Sequence, residues 1–384
     1  MQSTTGGLRL ELATSPTALG AHTAAWQQLA AECEVGDWFC SPLWLMPWFT
    51  HFATTIPCRV LFGYEAEQLV GVLPLVGPVP AGFGRGSLCS PVNVQVRRVG
   101  LMMRRRDSDF ASLALNEALR LAPNGCVTLG RTPLHSDVGA VLDACVHALG
   151  LGQYTTPETS SAVSDLREGW PAYLATRDGK LLRNLRARER KLLADGQWQF
   201  VDVTAAEELD GFWMAVLDIE GASWKQGAHS ALTHEPIVAD FYHDVLTQAA
   251  QQGALRCHIL QHEGQAVAYA AGVEIRGVYY LLKNSYKASH KTWAPGMQLV
   301  WYAMQHSAQR GARAFDFLGD VAPWKRDLAT DVPAYSSRTL FSSGNLGGRL
   351  RAWMEMQVKP AVRESRWWQR YRARETANAR VSEA

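Results

Sequence analysis

The sequence predicts a mixed α/β protein, an α+β mixed-sheet fold built from two tandem copies of one domain, and three observations carry this. Segments of helical period alternate along the chain with segments of strand period. The hairpin-like run "RVLFGYEAEQLVGVLPLV" from Arg59 to Val76 has a counterpart in "RCHILQHEGQAVAYAAGVEI" from Arg256 to Ile275; Gln68, Leu69 and Val70 fall on Gln265, Ala266 and Val267 at a shift of about 197 residues. In each half further strands follow, then a helix leading into a strand that ends in Leu-Gly, at Leu129-Gly130 and at Leu318-Gly319. A repeat of this length means two domains rather than a solenoid of short units.

In order along the chain, Thr17 to Cys33 and Pro42 to Phe52 read as helices and Arg59 to Val76 as a hairpin. Strands are expected at Val92 to Val99, at Val127 to Gly130 and near Tyr154, with helices over Phe110 to Leu121 and Val138 to Leu149. In the second half, Lys180 to Leu193 sets Leu181, Leu182, Leu185, Leu192 and Leu193 on one helical face and basic residues on the other. Asp240 to Gln252 is a further helix, Arg256 to Ile275 a further hairpin, and Val278 to Asn284 a strand. The Thr-, Ser- and Glu-rich stretch from Gln153 to Trp170 reads as the boundary, which gives domains at 1–160 and 161–345. Beyond them, segment 346–384 carries Trp353, Met354, Met356, Val358, Trp367, Trp368 and Tyr371 among many Arg and Lys.

Composition narrows the function classes. The 38 basic and 36 acidic residues leave a net charge of +2 over 384 residues, so no global field draws DNA or an anionic membrane, and any polyanion site is local. The opening "MQSTTGGLRLELATSP" has neither a charged n-region nor an apolar core, and no window of about eighteen apolar residues occurs, so a cytoplasmic protein is expected. Seven cysteines without a CxxC pair read as buried free thiols, and no metal is expected. His258 and His262 share a strand, where a spacing of four separates them by about 13 Å. "GFGRG" at Gly82 to Gly86 lacks the strand and helix of a dinucleotide loop and reads as a flexible turn.

Two features carry candidate chemistry. After the strand ending at Asn284 comes a polar loop, and Pro295-Gly296 then opens a long amphipathic helix; its first N–H groups, with Lys283, Lys287 and Lys291 nearby, fit a pyrophosphate such as that of coenzyme A. A plain strand-to-helix connection with solvated lysines fits the same residues. The second feature is a pair of segments, "IEGASWKQG" and "DFLGDVAPWKRDL", which join Glu220 to Trp224 and Lys225, and Asp316 and Asp320 to Trp324 and Lys325. Such groups at strand ends suit an amine and a sugar-like or anionic substrate. They suit equally an interface of ion pairs and packed indoles between the halves.

At these residues the sequence resembles the CelD-like branch of the GNAT acyltransferases, related to the FemAB/FemX peptidyl transferases. The resembling pieces are "LLRNLRARERKLL", "IEGASWKQG", "ILQHEGQAVAYAAGV", "NSYKASHKTWAPGMQL" and "FDFLGDVAPWKRDL", in the family's order, with "FCSPLWLMPWF" and "GVLPLV" earlier. The resemblance implies two tandem GNAT-like domains, the first degenerate and the second holding an acyl-coenzyme A donor (acetyl-coenzyme A or longer) at Leu282, Lys283, Asn284, Pro295, Gly296 and Met297. It implies a small-molecule amine or sugar-like acceptor held by Trp224, Lys225, Asp316, Trp324 and Lys325, in the setting of envelope or exopolysaccharide synthesis. Glu220 and Asp320 become candidates for the base, and Tyr286 for the acid that protonates the departing thiolate. Two features depart from the family: the pyrophosphate loop is reduced to "WAPGMQ", and Trp324 precedes Lys325 where Tyr is commoner. Alternatives are a FemX-like transferase using aminoacyl-tRNA, ranked below the first reading, and a non-catalytic accessory protein to which a surplus of Trp would suit glycan binding. The basic, aromatic C-terminal segment 346–384 reads first as a helix packed across the protein followed by a tail, and second as a candidate for peripheral contact with the inner membrane.

Overall fold

The computed structural model describes residues 3–358 apart from 6, 54–55, 81–84, 93–97, 108, 157–158, 224 and 226–230. Its strands form three sheets. The first runs Ser3–Thr5, Leu8–Ala13, Val60–Glu65, Gln68–Leu73, Met102–Met103; the second runs Leu88–Cys89, Cys126–Pro133, Ala334–Ser342, Leu151–Thr155, with Thr159–Ser160 also on Ala334–Ser342. The third has six strands, Val163–Asp165, Ala314–Asp316, Val278–Tyr286, Gln265–Ile275, Cys257–His262 and Trp198–Val203.

The repeat is real in three dimensions. Gly63 faces Gly71 and Tyr64 faces Leu69, while Leu260 faces Ala268 and Gln261 faces Ala266. Each hairpin therefore has one extra residue at the same place, Val70 in one and Val267 in the other, a bulge that bends the strand and adds twist. Each turn carries a residue in the left-handed region, Ala66 at φ 51° and Glu263 at φ 52°.

Strand Ala334–Ser342 departs from a simple tandem arrangement. Although it follows the whole second half and falls within the 161–345 stretch, it inserts between Cys126–Pro133 and Leu151–Thr155 of the first half. The place beside Ala314–Asp316 goes instead to Val163–Asp165. The halves are thus laced together by backbone hydrogen bonds, and one core cluster spans them: helix Pro42–Phe52 packs on helix Pro236–Gln251, with the Trp44 and Phe241 rings edge-on at 4.8 Å.

Core packing also accounts for much of the tryptophan surplus. Trp26, Trp38, Trp44, Trp48, Trp198 and Trp301 are all buried, which gives their aromatic area a packing role rather than a glycan-binding one. All seven cysteines are free and six are buried.

The structure corrects several expected boundaries. Thr17 to Cys33 is two helices, Pro16–Gly20 and Thr23–Glu32, parted just after Gly20, a poor helix former. Leu129-Gly130 lies inside strand Cys126–Pro133, and Leu318-Gly319 lies beyond the end of strand Ala314–Asp316. The expected strand at Val92 to Val99 falls largely on residues 93–97, outside the described residues, as do most of "GFGRG" and residues 359–384 with Trp367, Trp368 and Tyr371. Among the described residues no helix is long and apolar enough to cross a membrane.

A buried ion pair closes the seam between the halves. Arg98 Nη1 donates to Asp316 Oδ2 at 2.6 Å and Nη2 to the Tyr335 hydroxyl at 2.5 Å, all three residues being buried. Removing one partner of a buried pair strands the other's charge, so Arg98→Met is expected to lower unfolding stability by about 3–5 kcal/mol, read from the urea midpoint.

Candidate functional site

The central strand Val278–Tyr286 pairs in parallel with Ala314–Asp316 over three positions, the last being Tyr280 with Asp316. Beyond that point the two strands part. Leu318 at φ 50° and Gly319 at φ 60° turn the chain through the left-handed region, at a cost for Leu318 of about 1–2 kcal/mol. The turn is held from both sides: Leu318 N–H donates to Asp316 Oδ1 at 2.9 Å, and Lys325 Nζ donates to Leu318 O at 2.6 Å. Since the central strand runs straight on, a V opens, and it holds a cavity of about 630 Å³ lined by 281–286 on one wall and 317–319 on the other.

Within this open wall lies a second bulge. Ala271 faces Lys283 and Gly272 faces Leu281, which leaves Leu282 as the extra residue. A bulge frees backbone groups from the ladder and re-aims them, and here it does so at the cavity wall.

At the far end of the wall the helix Pro295–Gln309 begins, with Ala294 left-handed at φ 50° before it. Met297 and Gln298 N–H both donate to Ala294 O, and Pro295 has no N–H to offer, so Gly296 carries the anion-binding capacity of this turn. A Cβ on Gly296 would lie 2.9 Å from Tyr286 Cδ1, so only glycine lets the helix start sit against that ring. Lys291 lines the cavity here, whereas Lys287 turns away to pair with Asp218 at 2.7 Å.

Behind the cavity sits Glu220, fully buried at the end of helix Leu209–Gly221. Its Oε1 accepts from Lys225 Nζ at 2.7 Å and from the Tyr269 hydroxyl at 2.6 Å, and its Oε2 accepts from Leu232 N–H at 3.1 Å. Lys225 Nζ donates in addition to Asn284 O at 3.0 Å, so one ammonium ties the buried carboxylate to the central strand. Next to it, Lys283 reaches over the Tyr242 ring, Nζ to centroid 5.0 Å. Burial, and then the positive charge of Lys225, lower the Lys283 ammonium to a pKa of about 8, against the opposing pull of Glu220 and Glu235.

Of the residues singled out from the sequence, Lys225, Leu282, Lys283, Asn284, Tyr286, Gly296, Met297, Trp324 and Lys325 line this one cavity. Pro295 is buried at the helix start beside it. Asp316 stands apart from the lining, taken up by Arg98 at the seam, and Asp320 is exposed beyond the turn. Trp224 lies outside the described residues. Sequence reasoning missed Tyr242, Ser285 and Phe317; Tyr242 arrives from a helix far away in sequence, and no local signal marks it. Among the described residues no group of His, Cys, Asp and Glu is arranged to hold a metal ion.

This geometry makes Glu220 an anchor for Lys225. Glu220→Gln leaves the Lys225 ammonium, 14% exposed, without its counter-charge, and a loss of about 3–5 kcal/mol in thermal or urea unfolding is expected.

Comparison with known proteins agrees with this arrangement. Residues 179–326 match the family model described as "Acetyltransferase (GNAT) domain". No curated protein matches the chain in sequence. Among solved structures, FemX superposes with a TM-score of 0.57 at 12% identity, covering 87% of this chain and 98% of its own. A conserved protein of unknown function from Bacteroides thetaiotaomicron superposes at 0.55 with 13% identity, covering 86% of this chain and 100% of its own. At such identities the likeness is one of fold, and it spans both halves. The V, the bulge and the helix start all fall within 179–326, the part of the chain that matches the GNAT acetyltransferase domain model.

Proposed function

We propose that the protein is an N-acyltransferase that moves an acyl group from an acyl-coenzyme A thioester to the amine of a small acceptor. The observation that carries the reading is the V: a strand edge left open for hydrogen bonding, at the wall of a cavity of about 630 Å³, inside the GNAT domain. An extended pantetheine arm has amide groups that can pair with such an edge as a partial strand. A backbone N–H freed at the Leu282 bulge would serve the acyl carbonyl, stabilising the oxyanion formed as the amine adds. Gly296 N–H and Lys291 suit the pyrophosphate. Tyr286, on the wall beside the helix start, is placed to protonate the thiolate once the C–S bond breaks.

An amino sugar or another envelope or exopolysaccharide precursor is the acceptor we favour. Trp324, which shares the cavity and meets Phe317 edge-on at 5.9 Å, offers an indole face to a sugar ring. The polysaccharide setting rests on the sequence resemblance.

Calorimetric titration with acetyl-coenzyme A and longer thioesters tests the donor. The wild-type protein is expected to bind, and Gly296→Val, which drives its side chain into Tyr286, to weaken binding by about tenfold or more, about 1.4 kcal/mol. Absence of binding to every thioester would overturn the proposal, and steeply salt-dependent tRNA binding would then favour the aminoacyl-tRNA reading.

A further inference from the structure

An acceptor amine is an ammonium ion near neutral pH, so acyl transfer needs a group in the cavity to take its proton. The carboxylates considered for this do not qualify. Both oxygens of Glu220 are committed, to Lys225 and Tyr269 on one side and to Leu232 N–H on the other, and the residue is fully buried behind Lys225. Asp316 is bound by Arg98, and Asp320 is exposed and outside the lining. No Asp, Glu or His is among the described residues that line the cavity.

Besides Tyr242 and Tyr286, the titratable groups among the described lining residues are four lysines, and they are not equivalent. Lys225 is paired with Glu220 at 2.7 Å, and Lys325 donates to Leu318 O. Lys291 is exposed beside the helix start, near where the pyrophosphate would lie. Lys283 is different: it follows the Leu282 bulge directly, so it belongs to the stretch of wall where the acyl carbonyl would sit. We infer that Lys283 is the catalytic base, its neutral amine accepting the proton of the acceptor ammonium beside the thioester. The inference rests on the acyl-transfer reading.

The step balances as follows. The Lys283 Nζ lone pair takes a proton from the acceptor ammonium. The freed amine lone pair forms the C–N bond to the acyl carbon, the C–S bond breaks, and the thiolate keeps that electron pair and takes the Tyr286 hydroxyl proton, which Tyr286 recovers from the newly bonded nitrogen as it becomes the amide. The Lys283 ammonium then loses its proton to solvent through the cavity mouth. The fixed charge of Lys225 favours this return to the neutral form, and together with burial it keeps Lys283 near a pKa of about 8. In this scheme Glu220 and Lys225 are positioning residues: they set the charge Lys283 feels and touch no reacting atom.

Bromoacetyl-coenzyme A tests this without knowledge of the acceptor, because it puts a reactive carbon where the acyl group would lie and a neutral amine in reach displaces its bromide. The expected result is one adduct, on Lys283 by peptide mass mapping, suppressed by excess coenzyme A. Its rate should rise about tenfold per pH unit up to about 8 and level off above, as the neutral fraction does. Lys283→Arg, which keeps the positive charge but supplies no neutral amine, should form no adduct. Glu220→Gln, which removes one of the two carboxylates that oppose Lys225 at Lys283, should move the midpoint below that of the wild type. An adduct on a different side chain with Lys283 unmodified, or a Lys283 midpoint near that of an ordinary lysine at about 10.4, would overturn the assignment while coenzyme A still binds. If the wild-type protein binds no coenzyme A, the acyl-transfer reading itself fails and this one with it.

Discussion

Everything at the site depends on where the parallel pairing of the central strand stops. Three residues of Ala314–Asp316 hold their neighbour, and then the chain is turned out through Leu318 and Gly319. A leucine in the left-handed region does not stay there unaided. It is over-determined here by its own N–H on Asp316 and its carbonyl on Lys325, an arrangement of the kind in which local strain persists at functional sites. Asp316 is in turn fixed by Arg98, which belongs to the other half of the molecule. The cleft is therefore a property of the seam: among the described residues none of the first half lines the cavity, yet that half holds the residue that holds the turn.

A second constraint is electrostatic. Burying Glu220 is tolerable because three donors satisfy it, and the ammonium among them reaches on to Asn284 O. The pair is close to neutral as a unit, but its positive end faces the cavity side, where Lys283 feels it. The two Trp-Lys segments that stand out in the sequence thus do different work. Lys325 ties a loop and Lys225 ties a strand, and both secure the walls of one cavity from opposite sides.

Much of the architecture was legible. Hairpins announce themselves through alternation and turn residues, and the offset between Val70 and Val267 is the offset between two bulges. Helices Pro42–Phe52 and Phe110–Leu121 begin and end where their apolar period does. The lacing of the halves was not legible, because Ala334–Ser342 is as good a strand for one sheet as for the other. A strand's own residues specify that it pairs, and long-range packing specifies with what.

The sequence by itself determined the elements, the repeat and the residue types gathered at the ends of the central strand, since these depend on local period, turn chemistry and side-chain identity. Only the tertiary structure decided the roles. Asp316 and Glu220 look in sequence like acids waiting for a proton, and what separates them from that role is a guanidinium from Arg98 in one case and donors that include Lys225, Leu232 N–H and the Tyr269 hydroxyl in the other. Lys283 looks like one lysine among several near the strand end, and what distinguishes it is its place directly after the Leu282 bulge, its ammonium over the Tyr242 ring and the nearness of Lys225. Charge state is set by desolvation and by neighbours in space, and a one-dimensional string carries neither.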